Sequence, residues 1–244
     1  MRLLLTNDDG IDGEGLQVLA RTLRKEHDVW VIAPDSNRSA VSNGITISKD
    51  LCIKQIDERT FTTSGFPADC VLTGIYSNLI PQNVDMVLSG INRGFNLGTD
   101  IVYSGTAAAA RQAAIMGFPA VAFSIQSDTA EYKYQALADF ALKNLNTLKS
   151  LYTPDVFLNI NALSLDNYKA VQFTNVSVRK YKDTVKVIKT ASGEMESSFE
   201  GGTAITTGNE NSDYNAVRKG NISITRVIAE PVSLDNEMSA KFLL

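Results

Sequence analysis

The stretch LLLTNDDGIDGEGL at residues 3–16 runs an apolar segment straight into Asn7-Asp8-Asp9-Gly10, and Asp12 and Glu14 follow at once. Asn, Asp and Gly are turn residues, and a turn alone is the commoner meaning of such a tetrapeptide. A strand-to-helix turn needs one cap, however, and this one carries four acids. Neighbouring carboxylates repel unless something positive sits between them. A divalent cation would meet that need. The chain's single histidine, His27, falls between the first helix and the second strand, at the opposite edge of the sheet, where a helix C-terminus would favour a partly positive ring. Cys52 and Cys70 stand alone, without metal or redox spacing. The donors are therefore oxygen only, which selects magnesium, manganese or calcium over zinc. The lack of a usable histidine also argues against a Ser-His-Asp triad, and no G-x-S-x-G elbow occurs.

Three further loops offer neutral oxygens: DSNRSAVSNG (35–44), SGINRGFNLGTD (89–100) and YSGTAAAAR (103–111). Singly, each reads as a polar loop. Ser104-Gly105-Thr106 before an alanine-rich helix nevertheless has what an anion wants: free N–H groups, hydroxyls and the positive end of a helix dipole. A cation beside an anion pocket is equipment for phosphoryl chemistry. A dinucleotide site competes with this reading. Gly10, Gly13 and Gly15 form G-x-x-G-x-G in the first strand–helix turn, and Asp35 ends the second strand. The spacing departs from G-x-G-x-x-G, and a pyrophosphate would meet four acids. No Y-x-x-x-K occurs, and no Gly-Lys pair, so a P-loop is absent.

The elements that must position these residues follow from periodicity. Strands are expected at 2–7, 28–35, 84–92, 119–125 and 154–162, each a short apolar run. Helices are expected at 15–26, 67–79 (opened by Pro67), 106–116 (stopped by Gly117) and 130–149. Alternation of Ile45, Ile47, Leu51 and Ile53 around Lys49-Asp50 predicts a hairpin over 44–56. Strand and helix thus alternate through residue 164, which predicts an α/β fold: a Rossmann-like, mostly parallel, doubly wound sheet as the catalytic core. Beyond it, 165–244 is polar, with short alternating runs and breaks at Gly193 and Gly201-Gly202. It reads as an extended β-hairpin arm, with NISITRV (221–227) returning as a strand.

Of 244 residues, 44% are hydrophobic, enough for a full core, and 27 acids against 23 bases leave a net charge of −4. A nucleic-acid duplex would want a basic face, so none is expected as a partner. Asp8 and Asp9 interrupt the N-terminus before any signal-like apolar stretch, and no run of about 18 apolar residues exists, so neither export nor a membrane is expected. A cytoplasmic protein with reduced thiols is the expectation, although sequence leaves a Cys52–Cys70 disulfide open.

Taken in order, LLLTNDDGIDGEGL, VIAPDSNRSAVSNGITI (31–47), GFPADCV (65–71), VLSGINRGFNLGTDIVYSGTAAAAR (87–111) and SITRV near the end resemble the stationary-phase survival protein SurE family. Ala40 stands where many members have Gly, and Ala107 where Val is common; residues 165–215 match weakly. The resemblance implies a Rossmann-like core and an arm exchanged between subunits of a homodimer or homotetramer. It implies a phosphatase acting on nucleoside monophosphates, a 5′/3′-nucleotidase, dependent on one divalent ion per subunit. Carried over residue by residue, Asp8, Asp9, Ser39 and Asn92 would hold the metal. Asn96, Ser104, Gly105 and Thr106 would hold the phosphate, with Asn43 lining the same pocket. Catalysis would rest on Asp8 and Asp9, with Asp9 orienting or deprotonating a water. Arg38 and Arg93 could add positive charge, though surface arginine is the commoner reading of either. The alternatives are a non-catalytic, metal-dependent nucleotide-binding module of the same fold, and a dehydrogenase, which the acid-lined loop disfavours.

Overall fold

The computed structural model describes residues 1–81 and 83–233. In chain order the first elements are β1 (Arg2–Thr6), α1 (Glu14–Leu23), β2 (Asp28–Pro34), β3 (Ile53–Asp57), β4 (Thr60–Thr63) and α2 (Pro67–Tyr76). Then come β5 (Met86–Arg93), a single 3-10 turn (Gly98–Val102), α3 (Gly105–Ile115), β6 (Ala120–Gln126), α4 (Gln135–Ser150) and β7 (Val156–Leu163). The last are β8 (Val171–Thr174), β9 (Val178–Tyr181), β10 (Thr184–Lys189), β11 (Met195–Glu200), β12 (Ala204–Thr207), α5 (Asp213–Arg218) and β13 (Ile222–Ile228).

Nine strands form one sheet in the order β3-β4-β2-β1-β5-β6-β7-β13-β8. From β4 through β7 the strands are all parallel. β3 and β13 run antiparallel to β4 and β7 respectively. Strand alternation divides the core. Leu3 and Leu5 face α1 and α4 with Leu16, Leu19, Leu23 and Leu137. Leu4 points the other way, among Ile32, Val71, Val87 and the alanines of α3. Both faces of β1 are buried, which is why its sequence is a continuous apolar run rather than an alternating one. The expected α/β, doubly wound, mostly parallel architecture is the one observed.

Three local expectations differ. The hairpin lies at 53–63, not 44–56: β3 pairs with β4, and Ile45 and Ile47 are 42% and 85% exposed in a loop without strand structure. That loop is held by a side chain instead. Buried Asp69 accepts from the Thr46 amide and hydroxyl at 2.9 and 2.8 Å and from the Phe66 amide at 2.9 Å. The same carboxylate explains Gly65, where a Cβ would lie 2.7 Å from that of Asp69. Second, 221–227 does return as a strand, β13, as expected, but it and β8 carry the main sheet past 164, β13 pairing with β7 and β8 with β13. What stands outside it is narrower: the ribbon of β9 and β12 and, continuing from it, the ribbon of β10 and β11. Third, α5 was not expected; Ser212 caps it, and Ala216 and Val217 bury its inner face. The arm expectation for residues 234–244 lies outside the described residues. Among those described, no helix is long and apolar enough to cross a membrane.

Cys52 is exposed, Cys70 is fully buried on α2, and the two are not joined. Burial pushes the Cys70 thiol up to about 12, so it does not ionise near neutral pH. A thiol-reactive chromophore is therefore expected to titrate one cysteine in the native protein and a second only in denaturant. Two fast thiols in the native state would contradict the packing of α2.

Candidate active site

The chain leaves β1 toward β2 on one side and returns through β5 on the other. The crevice between the carboxyl ends of β1 and β5 is the switch point of the sheet, where open α/β folds bind ligands. The acid-rich turn opens into it. Buried Asn7 builds that turn: its Nδ2 donates to the Gly10 carbonyl at 2.8 Å, and the Gly10 amide donates back to Oδ1 at 3.2 Å. The Ile11 amide donates to the Pro34 carbonyl at 2.8 Å, tying the turn to the end of β2.

Asp8 is only 4% exposed. Its carboxylate accepts the Thr106 hydroxyl and sits against the first turn of α3. Gly105 permits this approach, since a Cβ there would lie 2.8 Å from that of Asp8. Ser104 caps the helix, accepting the Ala107 amide at 2.9 Å. Burial pushes the Asp8 carboxyl up to about 6; the Thr106 hydrogen bond opposes this, and the like charge of Asp9 adds to it. Asp9 is also raised by burial, against the Arg93 amide, which donates to its Oδ2 at 3.1 Å, and the Arg93 charge. Asn92 donates Nδ2 to the Gly94 carbonyl at 3.0 Å, which leaves its Oδ1 free to ligate.

Ser39 arrives on the exposed loop after β2. Two residues of that loop, Ala40 and Ser42, hold left-handed backbone at φ 57° and 53°. Such a conformation costs an L-residue about 1–2 kcal/mol. Bonds on either side hold it: the Arg38 amide to the Asp8 carbonyl at 2.6 Å and the Ser42 amide to the Tyr103 carbonyl at 3.0 Å. Ala40 thus stands where the backbone favours glycine.

A cleft of about 780 Å³ is lined by Asp8, Ser39, Asn92, Asn96 and Ser104 among others. Gly105 and Thr106 pack against Asp8 without lining the cleft, and Asp9, also off the lining, accepts the Arg93 amide. Asn96 is largely committed to the scaffold: its amide donates to Asn161 Oδ1 at 2.9 Å and its Nδ2 to Ser124 Oγ at 2.8 Å. Asn43 is not among the residues lining the cleft; it turns toward Gln112 at 3.4 Å, and its Oδ1 is buried without a partner. Arg38 is engaged with Asp35 and the Ser64 carbonyl, both at 3.1 Å. Arg93 lines the cleft, its guanidinium 4.7 Å from the centre of the Tyr132 ring. His27 lies at the far edge beside the N-terminus, 3.4 Å from its amine.

Among the described residues, no group of three His, Cys, Asp or Glu side chains converges. The donors at this corner are two carboxylates, a hydroxyl and an amide oxygen, a set that suits a hard cation and not zinc. Sequence reasoning did not single out other residues that line the cleft: Phe95, Asp100, Tyr103, Tyr181, Asp183, Phe199, Gly201 and Gly202. Most of these come from the outlying ribbons, and no local pattern shows that those ribbons reach the crevice.

Residues 3–183 match the family model for Survival protein SurE. The chain belongs to the SurE family. Relatives named 5′-nucleotidase SurE include that of Geotalea daltonii, 38% identical over 96% of this chain and 94% of that protein. The one from Kosmotoga olearia is 39% identical, covering 94% and 92%. A crystal structure of the SurE protein from Aquifex aeolicus superposes with a TM-score of 0.82 at 32% identity, over 95% of each chain. The β10–β11 ribbon, from 184 to 200, lies beyond the stretch that the SurE model matches.

A buried carboxylate held charged without a cation costs stability. In folded protein the Asp8 value lies at about 6 against an ordinary 3.8, so the folded form keeps its proton more tightly. Stability is then lost as pH rises from the lower value through the upper, and the whole cost, about 3 kcal/mol, is present above both. With chelator present, Asp8→Asn is expected to stabilise the protein by up to that amount at pH 8 and by little near pH 4. Urea unfolding at the two pH values checks this; equal effects at both would contradict the buried charge.

Proposed function

We propose that this SurE-family chain is a phosphoric monoester hydrolase that converts nucleoside monophosphates to nucleoside and phosphate, as a 5′/3′-nucleotidase dependent on a divalent ion. One observation carries the reading: two adjacent carboxylates, one of them buried, lie at the sheet's switch point against a serine-capped helix N-terminus, in a cleft large enough for a nucleotide. The relatives' printed name, 5′-nucleotidase, agrees with it.

In this reading Asp8, Asp9, Ser39 and Asn92 hold one ion of magnesium, manganese or calcium. When bound, that ion supplies positive charge at a phosphate oxygen and acidifies water. The chain does the rest. Thr106 fixes the Asp8 carboxylate, and the Arg93 amide fixes that of Asp9, so neither must reorganise as charge develops. Asn96, Ser104 and the opening amides of α3, Gly105 and Thr106 among them, orient the phosphate, and the missing Cβ of Gly105 lets Asp8 close on the helix. Asp9 orients the attacking water and can take its proton. Tyr132 holds the Arg93 guanidinium at the mouth, where it balances the dianion. Asn43, packed toward Gln112, supports α3 from behind.

We also place the subunit contact on the outlying ribbon. In the β10–β11 register Val185 opposes Phe199, Val187 opposes Ser197 and Lys189 opposes Met195, so one face carries Val185, Val187, Met195 and Phe199. These are 61%, 54%, 70% and 69% exposed. An isolated two-stranded ribbon is marginal in water. A second copy of the chain would cover this apolar face, giving a homodimer or homotetramer.

Phosphate release from a nucleoside 5′-monophosphate is expected with magnesium or manganese and not with EDTA. Asp9→Asn should lower kcat by about 100-fold or more. Nucleotide binding without turnover under every metal would instead support a non-catalytic module. Replacing 184–200 by a short Gly-Ser turn should lower the mass in solution to that of a monomer; an unchanged mass defeats the proposed contact.

A further inference from the structure

β7 carries a polar pair where a buried strand calls for apolar residues. One of its faces, Leu158, Ile160 and Ala162, lies in the core with the leucines of α1 and α4. The other begins with Phe157, in the core with the alanines of α3, and continues with Asn159 and Asn161, both fully buried. A buried amide is costly unless its donors and acceptors are met. Asn159 is only half met, because its Oδ1 has no partner among the described residues. What both side chains hold is a single loop residue. Asn161 grips it twice: its Oδ1 accepts the Asn96 amide at 2.9 Å, and its Nδ2 donates to the Asn96 carbonyl at 3.1 Å. Asn159 Nδ2 donates to that same carbonyl at 2.8 Å. Ser124, beside Asn161 in the sheet, accepts Asn96 Nδ2 at 2.8 Å. Three interior side chains thus fix both main-chain groups and the side chain of one residue, and that residue lines the cleft. The loop is pinned on either side as well, the Gly94 amide to the Ile125 carbonyl and the Gly98 amide to Asp213, both at 2.8 Å. Main-chain satisfaction alone does not account for Asn159. An apolar residue there would leave the Asn96 carbonyl still bonded to Asn161 and would remove the orphan oxygen.

We propose that Asn159 and Asn161 are positioning residues of this active site: they act through Asn96, holding it where it meets the phosphate of the substrate. The proposal rests on the phosphomonoesterase reading above. Polar groups fixed in advance need not move as charge develops, and a misplacement of about 1 Å can cost much of the rate. The clamp ties a loop residue of the cleft to the interior of the sheet, the most rigid part of the fold.

The test measures kcat/KM for a nucleoside 5′-monophosphate, and inhibition by inorganic phosphate, in the full-length protein with manganese. Asn159→Leu, close in volume, should lower kcat/KM about tenfold and weaken phosphate inhibition with it, while the thermal midpoint is not lowered. An Asn96→Ala background separates position from packing. The main-chain bonds of residue 96 persist there, so any effect of Asn159→Leu on stability should persist too, but its effect on kcat/KM should vanish. Asn161→Ala is expected to behave likewise in activity and serves where Asn159→Leu does not fold. An unchanged kcat/KM in these variants, or an equal loss with and without the Asn96 side chain, overturns the proposal and leaves the phosphatase reading intact. Parent protein that releases no phosphate overturns that reading and the proposal with it.

Discussion

The burial of Asp8 against the start of α3 is the constraint that orders the rest of this molecule. A charged carboxylate in so dry a place is unfavourable unless hydrogen bonds and opposite charge meet it. Thr106 supplies the first, and a helix N-terminus supplies part of the second. That meeting requires α3 to press close to the end of β1, which only a residue without a Cβ at 105 allows. It also requires α3 to lie tight on the sheet. The helix does so because Ala107, Ala108, Ala109, Ala110 and Ala113 are all fully buried and small. An alanine-rich helix, unremarkable by propensity, is thus selected here for thinness.

From that contact the surrounding loops inherit their positions. The 35–47 loop hangs between the Asp8 carbonyl, Tyr103 and the buried Asp69 of α2. Asp213, also buried, gathers the amides of Gly98, Ser177 and Tyr214 at 2.8, 3.0 and 2.7 Å, joining the 3-10 turn to the root of the outlying ribbons. Two buried carboxylates, Asp69 and Asp213, therefore organise backbone around the cleft, while Asp8 lines the cleft itself. The four acids of the opening turn divide the same way. Asp8 lines the crevice and Asp9 accepts the Arg93 amide beside it; Asp12 is exposed, and Glu14 stands in the first turn of α1, where the helix dipole welcomes it.

How much of this was legible in sequence follows from the range of the interactions. Elements held by local periodicity and capping, such as β1, α1, α3 and β7, could be read within a residue or two at most ends. The 44–56 hairpin could not, because Ile45 and Ile47 alternate like a strand but are tied by Asp69, twenty-three residues on from Thr46. The residues around Asp8 could be singled out because they sit in short runs with recognisable chemistry. The contribution of the ribbons was not: Tyr181 and Phe199 line the cleft from ribbons whose sequence carries no sign of it, such as the bond of the Tyr181 hydroxyl to Asp100, about eighty residues earlier. Asn43 illustrates the opposite failure, a polar residue in the right loop whose side chain turns toward α3 instead.

These unequal parts share one physical logic. Around the crevice the chain accepts left-handed backbone at Ala40 and Ser42 and a carboxylate pushed toward neutrality. Each is unfavourable for the fold, and Asp8 and Ala40 both line the same cleft. Strain and unmet charge of this kind persist only where packing elsewhere over-determines the backbone. The core supplies that surplus through a sheet covered on both faces. A cation bound at this corner would meet the Asp8 charge, and binding and local stability would then be linked through the same side chain.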